Sequence, residues 1–271
     1  IGAAMVAVVL FFALFGGLLA PYPDQVAGAV DTAARFQPPS AAHPFGTNEL
    51  GQDVLSLVMA GTTVSVLAGF GVVLIGSVIG TLVGVGRTVP NKAVSGLTTA
   101  YVELFRNVPL IVQMFLWFFV FPEFLPETAS KWVKQSMPLP EFSTAVIALG
   151  FYTSARVAEQ VRTGILTLSR GQKNAGLALG LTLGQTYRYV MLPMAFRIIV
   201  PPLTSEFMNI FKNSAVALAI GLTELTFQMR QMTGEYAPAN PIEVMTYTSL
   251  LYLIVAFSVN RIMALVEKKV Q

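Results

Sequence analysis

Long apolar blocks separated by short charged stretches dominate the chain. Six of them are long enough to cross a lipid bilayer: residues 1–20, about 58–86, 98–121, 143–167, 196–221 and 244–262. Hydrocarbon offers the backbone no hydrogen-bond partner, so a spanning segment must be a helix or part of a closed barrel, and uncharged runs of this length select helices. The first block ends at Leu18-Leu19-Ala20 like a signal-peptide core. Its length and the lack of a basic stretch before it favour a span instead. The chain therefore divides into residues 1–57, a first transmembrane helix with an external loop, and residues 58–271, a core of about five transmembrane helices. Gly76, Gly80 and Gly84 recur every four residues in the second block and predict a helix face that a neighbour approaches closely.

Charge placement orients the bundle. Lys and Arg near span ends stay in the cytoplasm. With the N-terminus inside, the cytoplasmic connections hold Arg87, Lys92, Arg170, Lys173, Arg188 and Arg197, and the tail adds Arg261, Lys268 and Lys269. The opposite face carries mainly acids, among them Asp24, Asp31, Glu49, Asp53, Glu123, Glu127, Glu141, Glu224, Glu235 and Glu243. Both termini are thus placed in the cytoplasm. The external stretch 21–53, rich in Pro, Ala and Asp and interrupted by Pro38-Pro39, reads as a loop.

Composition agrees with a membrane protein: 54% of the 271 residues are hydrophobic and 11% charged, too few charges to cover a soluble protein of this size. The basic pI of about 9.2 follows from topology, so nucleic acid is not expected as a partner. The chain has no cysteine and one histidine, His43, which argues against disulfide, thiolate or metal chemistry.

Residues 171–193, GQKNAGLALGLTLGQTYRYVMLP, lie between two spans on the basic side. Leu177, Ala178 and Leu181 recur at helical spacing and offer an apolar side to a partner, with Arg170 and Lys173 flanking it. Lying on anionic lipid is the alternative use for such a helix. Gly171, Asn174, Ala175, Gly176, Gly180, Leu181 and Pro193 stand in a register that resembles the cytoplasmic signature loop of ABC importer permeases. In that family the loop is a coupling helix docked on the ATPase subunit. Asn174 stands where the signature has Glu, and Gly176 where it has Ala, at a cost of about 1 kcal/mol in helix propensity.

Residues 86–271 resemble the amino-acid branch of these permeases, in particular the glutamate/aspartate type, through GRTVPNKAVSGL, AYVELFRNVPLIVQ, ARVAEQVR, RIIVPPLTSEFMNIFKNSA and LVEKKV. Residues 1–85 look different: HPFGTNELGQD is similar to the opening region of dipeptide, oligopeptide and nickel permeases. The two resemblances meet near Gly84 to Arg87, which implies a recombined or designed sequence or an unusual natural fusion. The fold implied is all-α and integral to the bacterial inner membrane, a six-helix type I ABC importer permease with a cytoplasmic coupling helix. The partners implied are an ABC ATPase dimer, a second permease subunit, an extracytoplasmic solute-binding protein and membrane lipid.

Ionisable residues within spans mark a path or a pairing site, because exposure to lipid costs about 2.5 kcal/mol or more each. Glu103 and Arg106 are spaced to pair on one helix face, as are Arg156 and Glu159, with Arg162 one step round. Pro109 is expected to bend its helix. Candidate substrate-path residues are Arg156, Glu159, Glu206, Lys212, Asn213 and Gln113. The resemblance implies that Arg156, near mid-depth, receives a substrate carboxylate, for which a guanidinium is suited. The chain has no phosphate-binding Gly-x-x-x-x-Gly-Lys loop, so ATP hydrolysis is expected in a separate subunit and no cofactor in this one. The reading is an importer permease for polar amino acids, with glutamate and aspartate first. The alternatives are a dipeptide or oligopeptide permease and, from another class, an ion-coupled secondary transporter.

Overall fold

The computed structural model describes residues 15–137 and 139–222, together with Phe11 and scattered positions between 242 and 268. Most of the first expected span and most of the last lie outside the described residues. The described chain is helical: α1 Pro23–Val26, α2 Val54–Gly86, α3 Lys92–Asn107, α4 Leu110–Phe115, α5 Glu127–Lys131, α6 Pro140–Thr167, α7 Arg170–Ala178, α8 Leu183–Thr186 and α9 Leu192–Ser214. Two helical runs, Val54–Gly86 and Leu183–Ile220, are long and apolar enough to cross a membrane. The bent pair Lys92–Asn107 with Leu110–Phe124 supplies a third. Helix α6 has 28 residues, about 42 Å at 1.5 Å per residue, and its Arg156, Glu159 and Arg162 keep it from qualifying as a span by composition alone.

Helix α2 starts at Val54, because Asp53 caps it: Oδ2 accepts from Ser56 N at 2.8 Å and from Ser56 Oγ at 2.7 Å. The other oxygen of this fully buried carboxylate meets His43 Nδ1 at 3.0 Å, and the His43 ring stacks on Tyr22 at 4.9 Å. Gln52 Nε2 donates to the carbonyls of Gln25 and Ala29. The stretch expected as an open loop is therefore a compact cap over the start of α2, held by side chains whose sequence has no periodicity to announce it.

Helices α2 and α6 run side by side in the same direction. Gly76 faces Thr153, Gly80 faces Val157 and Gly84 faces Val161, so the seam advances one turn at a time on both helices. A methyl group at Gly80 would lie 2.6 Å from Val157 Cβ and 2.7 Å from the Ser154 carbonyl oxygen, closer than atoms pack. The expected packing role of these glycines is what the structure shows. Gly84 to Arg87, where the two resemblances meet, lies at the end of this single helix and its cap.

The block expected as one span over 98–121 breaks at Val108-Pro109, and its two halves diverge by 104°. Proline lacks the N–H that would continue the helix. Gln113 satisfies the break by donating from Nε2 to the carbonyls of Phe105 and Val108, at 2.9 and 2.8 Å. The bent arm rests on α6 through Phe105 and Trp117, both stacked on Phe151, and through Tyr101, whose hydroxyl lies 2.6 Å from Ser154 Oγ.

Candidate functional site

The segment 171–193 is two structures, not one. Helix α7 ends at Ala178, and Gly180 takes φ +83, a left-handed turn that residues with a side chain adopt at a cost. Thr182 then opens the next helix with a capping box: Gln185 N donates to Thr182 Oγ1, and Thr182 N donates to Gln185 Oε1 at 2.8 Å. That helix continues to Ile220, so the fifth span begins near Leu183 and not near 196. Pro193, expected at the end of the coupling segment, sits inside this run. A wide π turn over Tyr187–Met191 precedes it, with Leu192 N bonded to the Tyr187 carbonyl, so the helix passes the proline without ending.

Helix α7 and its turn expose Asn174, Ala175, Leu177, Ala178 and Leu179, the last at 82%. Gly176 is buried, and Leu181 is half-buried. An added methyl group at Gly176 would lie 2.8 Å from Thr186 Cγ2, so the glycine lets the two limbs of the turn close on each other and offsets its poor helix propensity. The exposed apolar face is shifted towards Leu179, which sequence spacing missed because the helix stops one residue before it.

On the inner side the segment is anchored. Tyr187 and Met191 are buried with Val157, Val161, Ile165, Ala195 and Ile199. The Tyr187 hydroxyl donates to the Thr88 carbonyl at 2.9 Å and accepts from Thr88 Oγ1 at 3.2 Å, which ties the segment to the end of α2. Tyr187→Phe removes both bonds and is expected to lower stability by about 1 kcal/mol, roughly 2–4 °C in thermal unfolding of the purified chain.

The charged residues inside the bundle sort into two groups, and neither expected intrahelical pair forms. Arg156 meets Glu206 of α9 bidentately: Nε donates to Oε2 at 2.6 Å and Nη2 to Oε1 at 3.1 Å. Its third nitrogen, Nη1, reaches only the Tyr152 hydroxyl at 3.5 Å, and the side chain is 39% exposed, whereas Glu206 is 11% exposed. Glu159 turns to another face of α6 and takes three arginines: Arg87, Arg106 at 3.3 Å and Arg162 at 3.1 Å. Spacing along one helix showed which residues are neighbours. It did not show which distant helix would approach first. Glu103 makes no ion pair among the described residues.

Lys212 is exposed and Asn213 half-buried at the end of α9, and Ser214 closes the helix by donating from Oγ to the Phe211 carbonyl at 2.8 Å. Gln113, expected on the path, is 3% exposed and occupied at the Pro109 break. Among the described residues, only Arg156 and Glu206 of the expected path residues are brought into direct contact with each other.

Residues 73–271 match the model of a family described as "Binding-protein-dependent transport system inner membrane component". The glutamate/aspartate import permease protein GltJ of Escherichia coli (strain K12) is 46% identical over 230 residues, 84% of this chain and 91% of that protein. The probable glutamine ABC transporter permease protein GlnM of Bacillus subtilis (strain 168) is 31% identical over 220 residues, 81% of this chain and 95% of that one. Among solved structures, an amino acid ABC transporter crystallised with histidines gives a TM-score of 0.63 at 28% identity, covering 79% of this chain and 94% of that chain. The MetNI methionine ABC transporter in inward facing conformations gives 0.62 at 23% identity, with 79% and 94% covered, a likeness of fold.

Proposed function

Because this chain belongs to the binding-protein-dependent transport system inner membrane components, we propose that it is the permease subunit of an ATP-driven importer of glutamate and aspartate. ATP is hydrolysed in a separate subunit, and an external solute-binding protein delivers the amino acid. A second permease subunit completes the pathway. Orientation follows from charge: the Asp53 end of α2 faces out, and the Arg87 end, with the segment 171–193 and both termini, faces the cytoplasm.

The observation that carries the substrate class is the half-open Arg156–Glu206 pair. A charged residue at this depth must face water or a partner. Glu206 fills the Nε edge of the guanidinium and leaves the Nη1 corner, beside the Tyr152 hydroxyl, with one long contact. A substrate carboxylate approaching end-on meets a donor already fixed in orientation, and Glu206 keeps its own partner. Displacing Glu206 instead would strand a largely buried carboxylate, which is costly.

At the other end, the exposed face from Ala175 to Leu179 docks on the ATPase, and Tyr187 passes its movement to α2 through Thr88. Nucleotide-driven closure of the ATPases thereby rearranges the bundle around the substrate path. The test is reconstitution of the permease pair with its ATPase in vesicles, with each amino acid delivered by its binding protein. ATP hydrolysis stimulated by glutamate- or aspartate-loaded protein is the expected result. Stimulation by dipeptide alone, or uptake driven by a proton gradient without ATPase, overturns the reading.

A further inference from the structure

Three guanidiniums surround a single carboxylate at the Arg87 end of the bundle. Glu159 Oε2 accepts from Nη1 of Arg87 and forms an ion pair with Nη1 of Arg106 at 3.3 Å, and Oε1 accepts from Nη1 of Arg162. The side chains come from three places, the cap of α2, the end of α3 and the cytoplasmic third of α6, so the fold builds the cluster. Three cations against one anion leave an excess of two positive charges among the described residues. Glu103, the nearest acid in sequence on α3, is exposed and makes no ion pair there.

Arg87 makes the closest contact with Glu159, so the two excess charges fall on Arg106 and Arg162. Arg87 is nine-tenths buried, and its Nε is buried with no hydrogen-bond partner among the described residues. A buried guanidinium donor left unsatisfied is expensive. Arg106 and Arg162 are 47% and 37% exposed, so the cluster opens outward on one side while Arg87 forms its floor. Charge, unused donors and an open side are the features of an anion seat, and arginine favours planar or tetrahedral oxyanions.

We propose that Arg87, Arg106 and Arg162, arranged around Glu159, form a binding site for an oxyanion at the cytoplasmic side of the permease. The shared chemistry is a phosphate or carboxylate group, from the headgroup of an anionic phospholipid or from a small soluble anion such as the transported amino acid after release. The side assignment rests on the orientation proposed above; the site itself does not. Its position gives it leverage. Thr88, the residue after Arg87, is the one that holds Tyr187 of the coupling segment, so an anion that fixes Arg87 also fixes the contact between α2 and that segment.

The test uses the full chain in nanodiscs and needs no transport. Native mass spectrometry compares retained phosphatidylglycerol with phosphatidylcholine, and thermal unfolding in phosphatidylcholine discs is followed with L-glutamate or inorganic phosphate added. Arg106→Gln combined with Arg162→Gln spares the buried Arg87. Glu159→Gln removes the resident competitor and is expected to strengthen anion binding. For the wild type, a preference for phosphatidylglycerol of about tenfold, or a raised unfolding temperature with the soluble anions, is expected, either one abolished in the double variant. The lipid response alone assigns a headgroup, and the soluble response assigns a free anion. Equal behaviour of wild type and double variant in both assays, or no response in the wild type, overturns the site. Loss of the site leaves the transport reading standing, and failed transport leaves this binding measurement unaffected.

Discussion

Gly80→Leu is expected to leave almost no folded permease in the membrane, while Gly96→Leu, at a helix position with nothing within 4 Å of an added methyl, leaves the yield unchanged. The difference is geometric. At Gly80 even the first carbon of a side chain would sit against Val157 Cβ and the backbone oxygen of Ser154, and backbone cannot rotate aside. Overpacking typically costs about 1–3 kcal/mol, and here it falls on the seam that joins α2 to α6 over several turns. Parting those helices also separates Arg87 from Glu159. The check is the amount and unfolding temperature of detergent-purified chain, and equal values for the two variants would contradict the seam.

The second large effect is on transport. Arg156→Gln is expected to cut glutamate uptake by about tenfold or more, since a bidentate, charge-assisted contact is lost. Glutamine delivered by its own binding protein should be affected much less. The variant also leaves Glu206 without its partner, so Arg156→Gln combined with Glu206→Gln separates the roles. If the loss came only from a stranded carboxylate, the double variant would recover glutamate uptake. If Arg156 receives the substrate, the double variant stays deficient. Initial rates in reconstituted vesicles decide it.

These effects trace back unequally to the sequence. The second span, the bend at Pro109 and the glycine seam were legible because each depends on local chemistry: run length, a missing N–H, an absent Cβ. The turn at Gly180 was legible as a motif position, but the start of the fifth span was not. A capping box at Thr182 and a π turn before Pro193 start the helix at residue 183 rather than at 196, where hydropathy marks it. Ion pairing was the least legible. Arg156 and Glu159 are neighbours on α6, yet each found a stronger partner on another helix, Glu206 fifty residues on and Arg87 seventy-two residues back. The cap over Asp53 escaped for the same reason, joining the side chains of His43, Gln52, Asp53 and Ser56 to carbonyls of Gln25 and Ala29. Its HPFGTNELGQD run supplies His43, Gln52 and Asp53 to that cap.

We propose that the exposed face around Leu179 receives force from an ATPase. It is tested most directly by ATP-driven glutamate uptake in vesicles holding the complete transporter, comparing wild type with Leu179→Asp. The Leu179 side chain is 82% exposed, so the variant chain is expected to fold normally and uptake to fall to the ATP-free background. Uptake equal to wild type with an aspartate on that face would contradict the account.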